Sequence, residues 1–441
     1  MRLYTVDFET EPIRNRPHYP PKPVGVSIKA EGERPDYFAF GHRGGGNNCD
    51  ERTARTALAQ IWLDPGVEIL FHHAKFDCAV AVERWGLPML PWERIHDTAF
   101  LAFLSDPYAS HFGLKQLADV LLHMPPEERD DVAGWVWENR AELERLYSAE
   151  FGGLKVAKKK AGAWIFAAPG DLVAPYANGD TIRTEALFDH LGADVMSRGM
   201  WGAYVRERRL MPILMANERV GMRTDLERLE RDVAMYSRAF EFVEAQLRFA
   251  LKASGLNFDA DQDVAAILIE RGIVMEEDFA RTAPTKANPN GQLSMSKDNL
   301  LPELFVGTTA QGVPGKQIAS ALGYRNRLKT CLDTFMRPWL AQALINGGYI
   351  TTNWNQIRGE GGTRTGRPST DEHNFLNISK DFSGRDDQYA HPEFLSLPEL
   401  PLCRVYVLPD EDQVFLHRDF SGQELRVFAH FEQGALWEQY Q

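Results

Sequence analysis

Asp7 and Glu9 are two acidic residues that stand two positions apart in the segment VDFETEP, directly after an apolar run. If the run is a β-strand, both carboxylates lie on one face within roughly 7 Å of each other, with Phe8 on the other face. Two negative charges so close require a proton or a cation between them, and a pair of oxygen ligands suits Mg²⁺ or Mn²⁺. The alternative is that Asp7 ends the strand and Glu9 begins a solvated turn.

Two further aspartates and a tyrosine have settings that suit chemistry. Asp77 follows the apolar segment VEILFHH, on what is predicted to be the first turn of a helix. Asp180 lies on a predicted helix, and Tyr176 stands four residues earlier, one turn away on the same face. Taken singly, each aspartate is equally typical of a helix cap or of a solvated residue.

One more acidic residue follows an apolar segment near residue 419. Asp419 ends the predicted strand VFLHRD, and Glu424 and Arg426 lie at the start of a predicted helix. Alone, this pattern also fits an N-capping aspartate followed by a glutamate on the helix surface.

The elements that must position these residues change character along the chain. Residues 1–195 alternate short strands such as RLYTV with helices such as GLKQLADVLL, which is an α/β pattern. Residues 196–350 consist mainly of long amphipathic helices, and residues 351–441 are rich in loops and short strands. The sequence therefore predicts three domains with these bounds.

The composition of the 441 residues, 44% hydrophobic and 25% charged, is that of an ordinary globular protein. No stretch reaches the roughly 18 apolar residues of a membrane span, and no signal peptide begins the sequence, so we expect a cytoplasmic protein. Four scattered cysteines without a C-x-x-C pair argue against a structural zinc site or a disulfide framework. The net charge of −13 means that any nucleic-acid contact must use local basic patches.

The order of these motifs in residues 1–195 resembles the DEDD family of 3′–5′ exonucleases, in its tyrosine-bearing branch. The motifs are D-x-E, then H-x-K-F-D, then Y-x-x-x-D, with HDTAFLAFLSDP similar to the segment after the second motif. The resemblance implies a ribonuclease H-like exonuclease domain with a mixed sheet. It also implies that two divalent metal ions, Mg²⁺ or Mn²⁺, are held by four carboxylates while Tyr176 orients the attacking water. The implied metal ligands are Asp7, Glu9, Asp77 and Asp180.

The later segments resemble family A DNA polymerases, the DNA polymerase I-like group. DFSGQELR is similar to motif A, and GTRTGRPSTDEHNFLNIS (362–379) is similar to the segment that contacts the primer end. The resemblance implies a helical thumb followed by the first part of an α+β polymerase palm. Its domain order is that of a proofreading polymerase of phage or bacterial type, acting in the cytoplasm of a bacterium or of a phage-infected host.

The same resemblance assigns roles to individual palm residues. Asp419 would be one of two palm aspartates that bind Mg²⁺ when the palm is complete, and Glu424 would exclude a 2′-hydroxyl from the incoming sugar. Arg367 would reach the minor groove at the primer end, where purine N3 and pyrimidine O2 are acceptors at any correct pair. Further DNA contacts are implied for Asn374, Asn377 and Arg426. The implied partners are primer-template, single-stranded 3′ ends and deoxynucleoside triphosphates.

The sequence contains no fingers motif K-x-x-x-F/Y-x-x-x-Y-G and no H-D-E tripeptide after Asp419. One palm carboxylate cannot hold two metals, so we expect that this chain alone does not extend a primer. Either a second chain supplies the fingers and the remaining palm, or the sequence is a truncation.

Two functions remain open at this stage. The first is a metal-dependent 3′–5′ exonuclease joined to the front half of a family A polymerase. The second is a primer-template binding subunit of a split polymerase with an idle nuclease.

Overall fold

The computed structural model describes residues 2–279, 281–286, 288–295, 300–357, 363–379, 382, 392 and 395–440. A five-stranded mixed sheet forms its N-terminal part, in the order β3-β2-β1-β4-β5. The pairs β1–β2 and β2–β3 are antiparallel, and β1–β4 and β4–β5 are parallel. The strands are β1 (Arg2–Thr10), β2 (Pro23–Ala30), β3 (Asp36–Ala39), β4 (Val67–Phe71) and β5 (Ile95–Asp97).

The central strand β1 continues through both acidic residues of the first motif. Asp7 pairs with Ser27 and Glu9 with Gly25 of β2, so the predicted alternative of a turn at Glu9 is wrong. Phe8 points to the opposite face, where its ring meets Trp85 at a centroid distance of 4.9 Å. The alternation expected of a strand therefore places Asp7 and Glu9 on one face.

Helices cover this sheet and continue into the rest of the chain. The long helix α7 packs against β1, β2 and β3. The helices of this part are α1 (Glu51–Trp62), α2 (Ala74–Ala79), α3 (Thr98–Ser105), α4 (Leu114–Leu122), α5 (Glu127–Glu138), α6 (Arg140–Tyr147) and α7 (Gly170–Ser197). The α/β pattern predicted for this part of the chain is thus present.

A helical region follows, as the amphipathic periodicity predicts. Its helices are α8 (Trp201–Val220), α9 (Leu226–Ala250), α10 (Asp261–Glu270), α11 (Gly315–Thr330) and α12 (Arg337–Ile345). Val243, Tyr324 and Trp339 are fully buried in the shared core of α9, α11 and α12. Among the described residues, no helix combines the length and the apolar character that crossing a membrane requires.

The remaining strands are short and form two small sheets. One three-stranded sheet has the order β10-β6-β7, and β8 pairs with β9. These strands are β6 (Met222–Thr224), β7 (Tyr349–Ile350), β8 (Asn353–Asn355), β9 (Ser369–Asp371) and β10 (Val407–Leu408). The last helices are α13 (Gln423–Glu432) and α14 (Ala435–Tyr440). The three predicted domain bounds stay predictions.

The predicted strand that ends at Asp419 is wrong. Residues 413–420, which lie in the described part of the chain, have no regular secondary structure, and Leu416 is 89% exposed. A strand needs a neighbour for its backbone hydrogen bonds, and no described strand pairs with this segment. The helix predicted after it is present as α13, and it begins at Gln423.

Candidate functional site: an acidic cluster beneath a long helix

Three of the four predicted exonuclease carboxylates come together at the face of the mixed sheet. Asp7 and Glu9 project from β1 and Asp180 projects from α7, and one ligand oxygen of each lies within 4.8 Å of the others. We call these three residues the acidic cluster. Glu9 and Asp180 are buried, and Asp7 is half-buried. Acidic residues predicted on one face of a strand and on a helix thus lie together at one site.

The fourth predicted ligand, Asp77, lies beside the acidic cluster rather than within it. It is 2% exposed on α2, and its Oδ1 accepts a hydrogen bond of 3.0 Å from the backbone N–H of Phe8. Phe8 stands between Asp7 and Glu9, so this bond anchors α2 to the strand that carries two of the cluster residues. One oxygen of Asp77 is therefore engaged by the backbone in this conformation.

Burial and mutual repulsion make these carboxyl groups reluctant to ionise without a cation. Burial raises the pKa of Asp7 to about 8, with a further contribution from the charge of Asp180. The pKa of Glu9 is also raised, by burial first and then by Asp7 and Asp180. Burial and the charge of Asp7 raise the pKa of Asp77, against the effect of its bond to Phe8. A bound divalent ion would remove this penalty.

The donor set fits a hard divalent cation. Carboxylate oxygens are the ligands that Mg²⁺ and Mn²⁺ prefer, and the nearby residues offer neither thiolate nor imidazole to the acidic cluster. The three residues of the acidic cluster therefore suit a hard divalent cation, and the predicted four-ligand site, which includes Asp77, stays a prediction.

A lysine that was not predicted from the sequence contacts two residues of the site. Lys115, in the first turn of α4, places its Nζ 2.5 Å from Oδ2 of Asp180. The same ammonium lies 3.7 Å from the ring centroid of Tyr176. Its charge lowers the pKa values of Asp7 and Glu9, against the larger effect of burial. Lys115 lies three residues before the buried Ala118, and no local pattern in the sequence indicates that it meets Asp180.

The helix α7 is held on the sheet by polar contacts close to the acidic cluster. Ser27, which pairs with Asp7 across the strands, donates a 2.9 Å hydrogen bond to Oδ1 of Asn178. Its Oγ also lies 3.2 Å from Oγ1 of Thr181. Asn178 lies between Tyr176 and Asp180 in sequence and Thr181 directly follows Asp180, so these contacts fix the turn of helix that carries both.

Asp97 has a structural role at the start of two helices. Its carboxylate accepts hydrogen bonds from the backbone N–H groups of His73, Ala74 and Ala99 at 3.1, 2.8 and 2.8 Å. It thereby caps α2 and α3 together. Its side chain is buried, and both of its oxygens are engaged by backbone donors.

Lys75 contacts protein groups. Its Nζ donates 2.7 Å hydrogen bonds to Oε1 of the buried Glu218 and to the carbonyl of Trp354. The backbone N–H of Trp354 donates to the same Glu218 oxygen at 2.5 Å. These contacts connect α2, which bears Asp77, to α8 and β8.

The predicted palm residues lie on the exposed side of the C-terminal segments. Arg367 and Glu424, which are 57 positions apart in the sequence, form an exposed ion pair. Asn374 accepts a 2.9 Å hydrogen bond from Oγ1 of Thr370. The structure thus brings together the residues predicted for the primer end and for the incoming sugar.

The other three predicted palm residues are also exposed. Asn377 lies at the end of a short 3-10 turn, Phe375–Asn377, and Asp419 lies in the irregular segment before α13. The Nε of Arg426 donates a 2.8 Å hydrogen bond to the carbonyl of Ser421, and its guanidinium lies 4.8 Å from the ring centroid of Tyr440. Within the described residues, Asp419 does not belong to a group of three or more metal-ligating side chains.

Comparison with known proteins finds similar sequences among phage DNA polymerases. No protein-family model matches the sequence. The DNA polymerase DpoZ of Vibrio phage phiVC8 is 27% identical over 397 residues, which cover 84% of this chain and 54% of the phage protein. The DNA-directed DNA polymerase of Pseudomonas phage M6 is 24% identical over 426 residues, 92% of this chain and 54% of that protein. The chain spans about half the length of the curated relatives it matches.

The fold has a solved counterpart in a bacterial polymerase. The POL domain of Pol1 from M. smegmatis, in complex with DNA primer-template and dNTP, matches 98% of this chain and 59% of that chain with a TM-score of 0.63. At 19% sequence identity this likeness shows the fold alone. The predicted similarity to DNA polymerases of phage type is confirmed by the phage proteins, and the fold is similar to that of a bacterial polymerase domain; the exonuclease part of the resemblance stays a prediction.

Proposed function

We propose that the chain serves a phage-type DNA-directed DNA polymerase and that residues 1–195 act as its metal-dependent 3′–5′ exonuclease. The observation that carries the proposal is the acidic cluster, in which Asp7, Glu9 and Asp180 converge within 4.8 Å beneath α7. The substrate would be the 3′ end of a DNA strand, and the products would be nucleoside monophosphates.

The sheet supports a ribonuclease H-like arrangement for this domain. Three antiparallel strands are extended by two parallel ones in the order β3-β2-β1-β4-β5, with the first acidic pair on the central strand. The helical region 196–350 would then be the connection and thumb, and residues 351–441 the first part of the palm.

The acidic cluster and its neighbours Asp77 and Tyr176 would have separate roles in phosphodiester hydrolysis. Asp7, Glu9, Asp77 and Asp180 would hold two divalent ions, which supply positive charge for water activation and for the leaving oxygen. The hydroxyl of Tyr176 can accept and donate a hydrogen bond while neutral, so its role would be to orient the attacking water. The bond from Phe8 to Asp77 would keep α2 in register with β1.

The exposed palm residues would bind primer-template and nucleotide. Arg367 would contact minor-groove acceptors at the primer end, and Glu424 would lie under the sugar of an incoming deoxynucleoside triphosphate. Asp419 would bind Mg²⁺ in a complete palm, with Asn374, Asn377 and Arg426 as neighbouring polar contacts. The Arg367–Glu424 pair supports this assignment, since it places the two groups at one surface.

A primer-shortening assay tests the proposal. A 5′-labelled primer on a longer template, and the same primer alone, are incubated with Mg²⁺ and resolved on a gel. We expect stepwise shortening by the wild type and by Asp189→Ala, an exposed position on α7, and none by Asp7→Ala. Tight primer binding without any shortening would instead support the DNA-binding subunit with an idle nuclease.

A further inference from the structure

The Lys115 ammonium lies beside the acidic cluster, where a positive charge is needed to offset the carboxylates. Its side chain is 13% exposed, and its Nζ lies 2.5 Å from Oδ2 of Asp180. An ammonium buried to this extent is costly unless it is paired, and Asp180 is equally buried, with its side chain 7% exposed. The pair therefore satisfies two charges that neither residue could keep alone in this setting.

The contacts of Lys115 are with the two α7 residues of the site. The face of the Tyr176 ring receives the ammonium at 3.7 Å, a favourable cation–π distance. Arg183, one turn after Asp180, approaches its Oδ1 at 3.6 Å from the other side. Lys115 reaches these residues from a separate helix, α4, which packs against α7.

We propose that Lys115 is a resident counter-cation that holds Asp180 and Tyr176 in place in the metal-free site and gives up the Asp180 carboxylate when a divalent ion binds. The inference rests on the proposed function, because it takes the acidic cluster to be the metal site. Asp180 cannot donate the same oxygen lone pair to an ammonium and to a metal, and two positive centres a few ångströms apart repel. Metal binding therefore competes with the Lys115 ion pair.

Because metal binding competes with the Lys115 ion pair, removing the charge of Lys115 should strengthen metal binding, whereas most substitutions at a metal site weaken it. Lys115→Met keeps the length and most of the volume of the side chain but removes its charge. We expect Lys115→Met to bind Mn²⁺ at least tenfold more tightly than the wild type, about 1.4 kcal/mol. Lys115→Arg keeps the charge and should stay within about threefold of the wild type. Lys155→Met, at an exposed position that pairs with Glu144, is the control for loss of one positive charge and should leave the affinity unchanged.

The binding experiment uses Mn²⁺ alone, without DNA, followed by the electron paramagnetic resonance of free Mn²⁺ at pH 8. An affinity of Lys115→Met equal to or weaker than that of the wild type overturns the inference. Asp7→Ala reports separately on the proposed function: if the wild type binds Mn²⁺ and Asp7→Ala does not, the metal site stands whatever Lys115 does. If the wild type binds no Mn²⁺, both proposals fail.

Thermal unfolding separates the counter-cation role from simple packing. With EDTA, Lys115→Met should melt at a lower temperature than the wild type, because Oδ2 of Asp180 loses the ammonium that contacts it. With saturating Mn²⁺ the two proteins should melt together, since the metal then neutralises the acidic cluster. An equal loss of melting temperature with and without Mn²⁺ would show that Lys115 only packs, and it would refute the exchange.

Discussion

Asp7 should make the metal-free protein less stable as the pH rises from about 4 to about 8. The pKa of its carboxyl is 3.8 ordinarily and about 8 in the folded chain, chiefly because of burial and then of the charge of Asp180. Between these values the folded protein holds a proton that the unfolded chain has lost. Raising the pH removes that proton, so the stabilisation is complete below pH 4 and is lost on passing through pH 8.

The magnitude follows from the linkage of one proton to unfolding. Each pH unit in this range lowers the free energy of unfolding by about 1.4 kcal/mol, or about 3 kcal/mol between pH 5 and pH 7. Asp7→Asn resembles the protonated carboxyl in shape and does not titrate. The variant should therefore match the wild type only below about pH 4 and exceed its stability from pH 5 upward, by a margin that grows until about pH 8.

Urea unfolding in EDTA at pH 5, 6, 7 and 8 measures this difference. The pKa values of Glu9 and Asp77 are also raised, chiefly by burial, which is present in both proteins; the part that comes from the charge of Asp7 is removed in Asp7→Asn and adds to the measured difference. With Mn²⁺ in excess the order should reverse at pH 8, because only the wild type gives the metal its Asp7 ligand. Parallel stability curves for the two proteins in EDTA would refute the electrostatic reasoning.

Three further substitutions test individual roles. Tyr176→Phe should lower the rate of nucleotide release about tenfold or more in a single-turnover assay while leaving Mn²⁺ affinity unchanged, since the hydroxyl orients water; a weaker Mn²⁺ affinity would contradict this. Asp97→Ala removes the acceptor of three buried N–H groups and should cost about 3 kcal/mol in urea unfolding, and a cost below 1 kcal/mol would refute its capping role. Glu218→Gln removes the charge that faces Lys75 and should cost about 2 kcal/mol, whereas unchanged stability would mean that the contact with Trp354 suffices.

Local periodicity predicted which residues of the site share one face of the same strand or helix. Alternation along β1 placed Asp7 and Glu9 on one face, and the spacing of four placed Tyr176 and Asp180 on one side of α7. Both rules depend only on the conformation of one element. The motif order then supplied the pairing of the two elements, which periodicity alone cannot give.

Features that depend on contacts between distant segments were not predictable in this way. Lys115 meets Asp180 because α4 packs against α7, and no local pattern contains that approach. The position of Asp77 beside the cluster depends on a bond to the backbone of Phe8. The error at Asp419 has the same origin: an apolar run has strand propensity, but a strand forms only where another strand accepts its hydrogen bonds.

The measurement that tests the central claim most directly is the release of the 3′-terminal nucleotide from a DNA strand labelled only on that nucleotide. With Mg²⁺ or Mn²⁺, the wild type should release the label as a nucleoside monophosphate in the first turnover. Asp7→Ala and Asp180→Ala should release none, and Asp189→Ala should match the wild type. Release of the label in longer fragments, or undiminished release by Asp7→Ala, would contradict the assignment of the acidic cluster as a 3′–5′ exonuclease site.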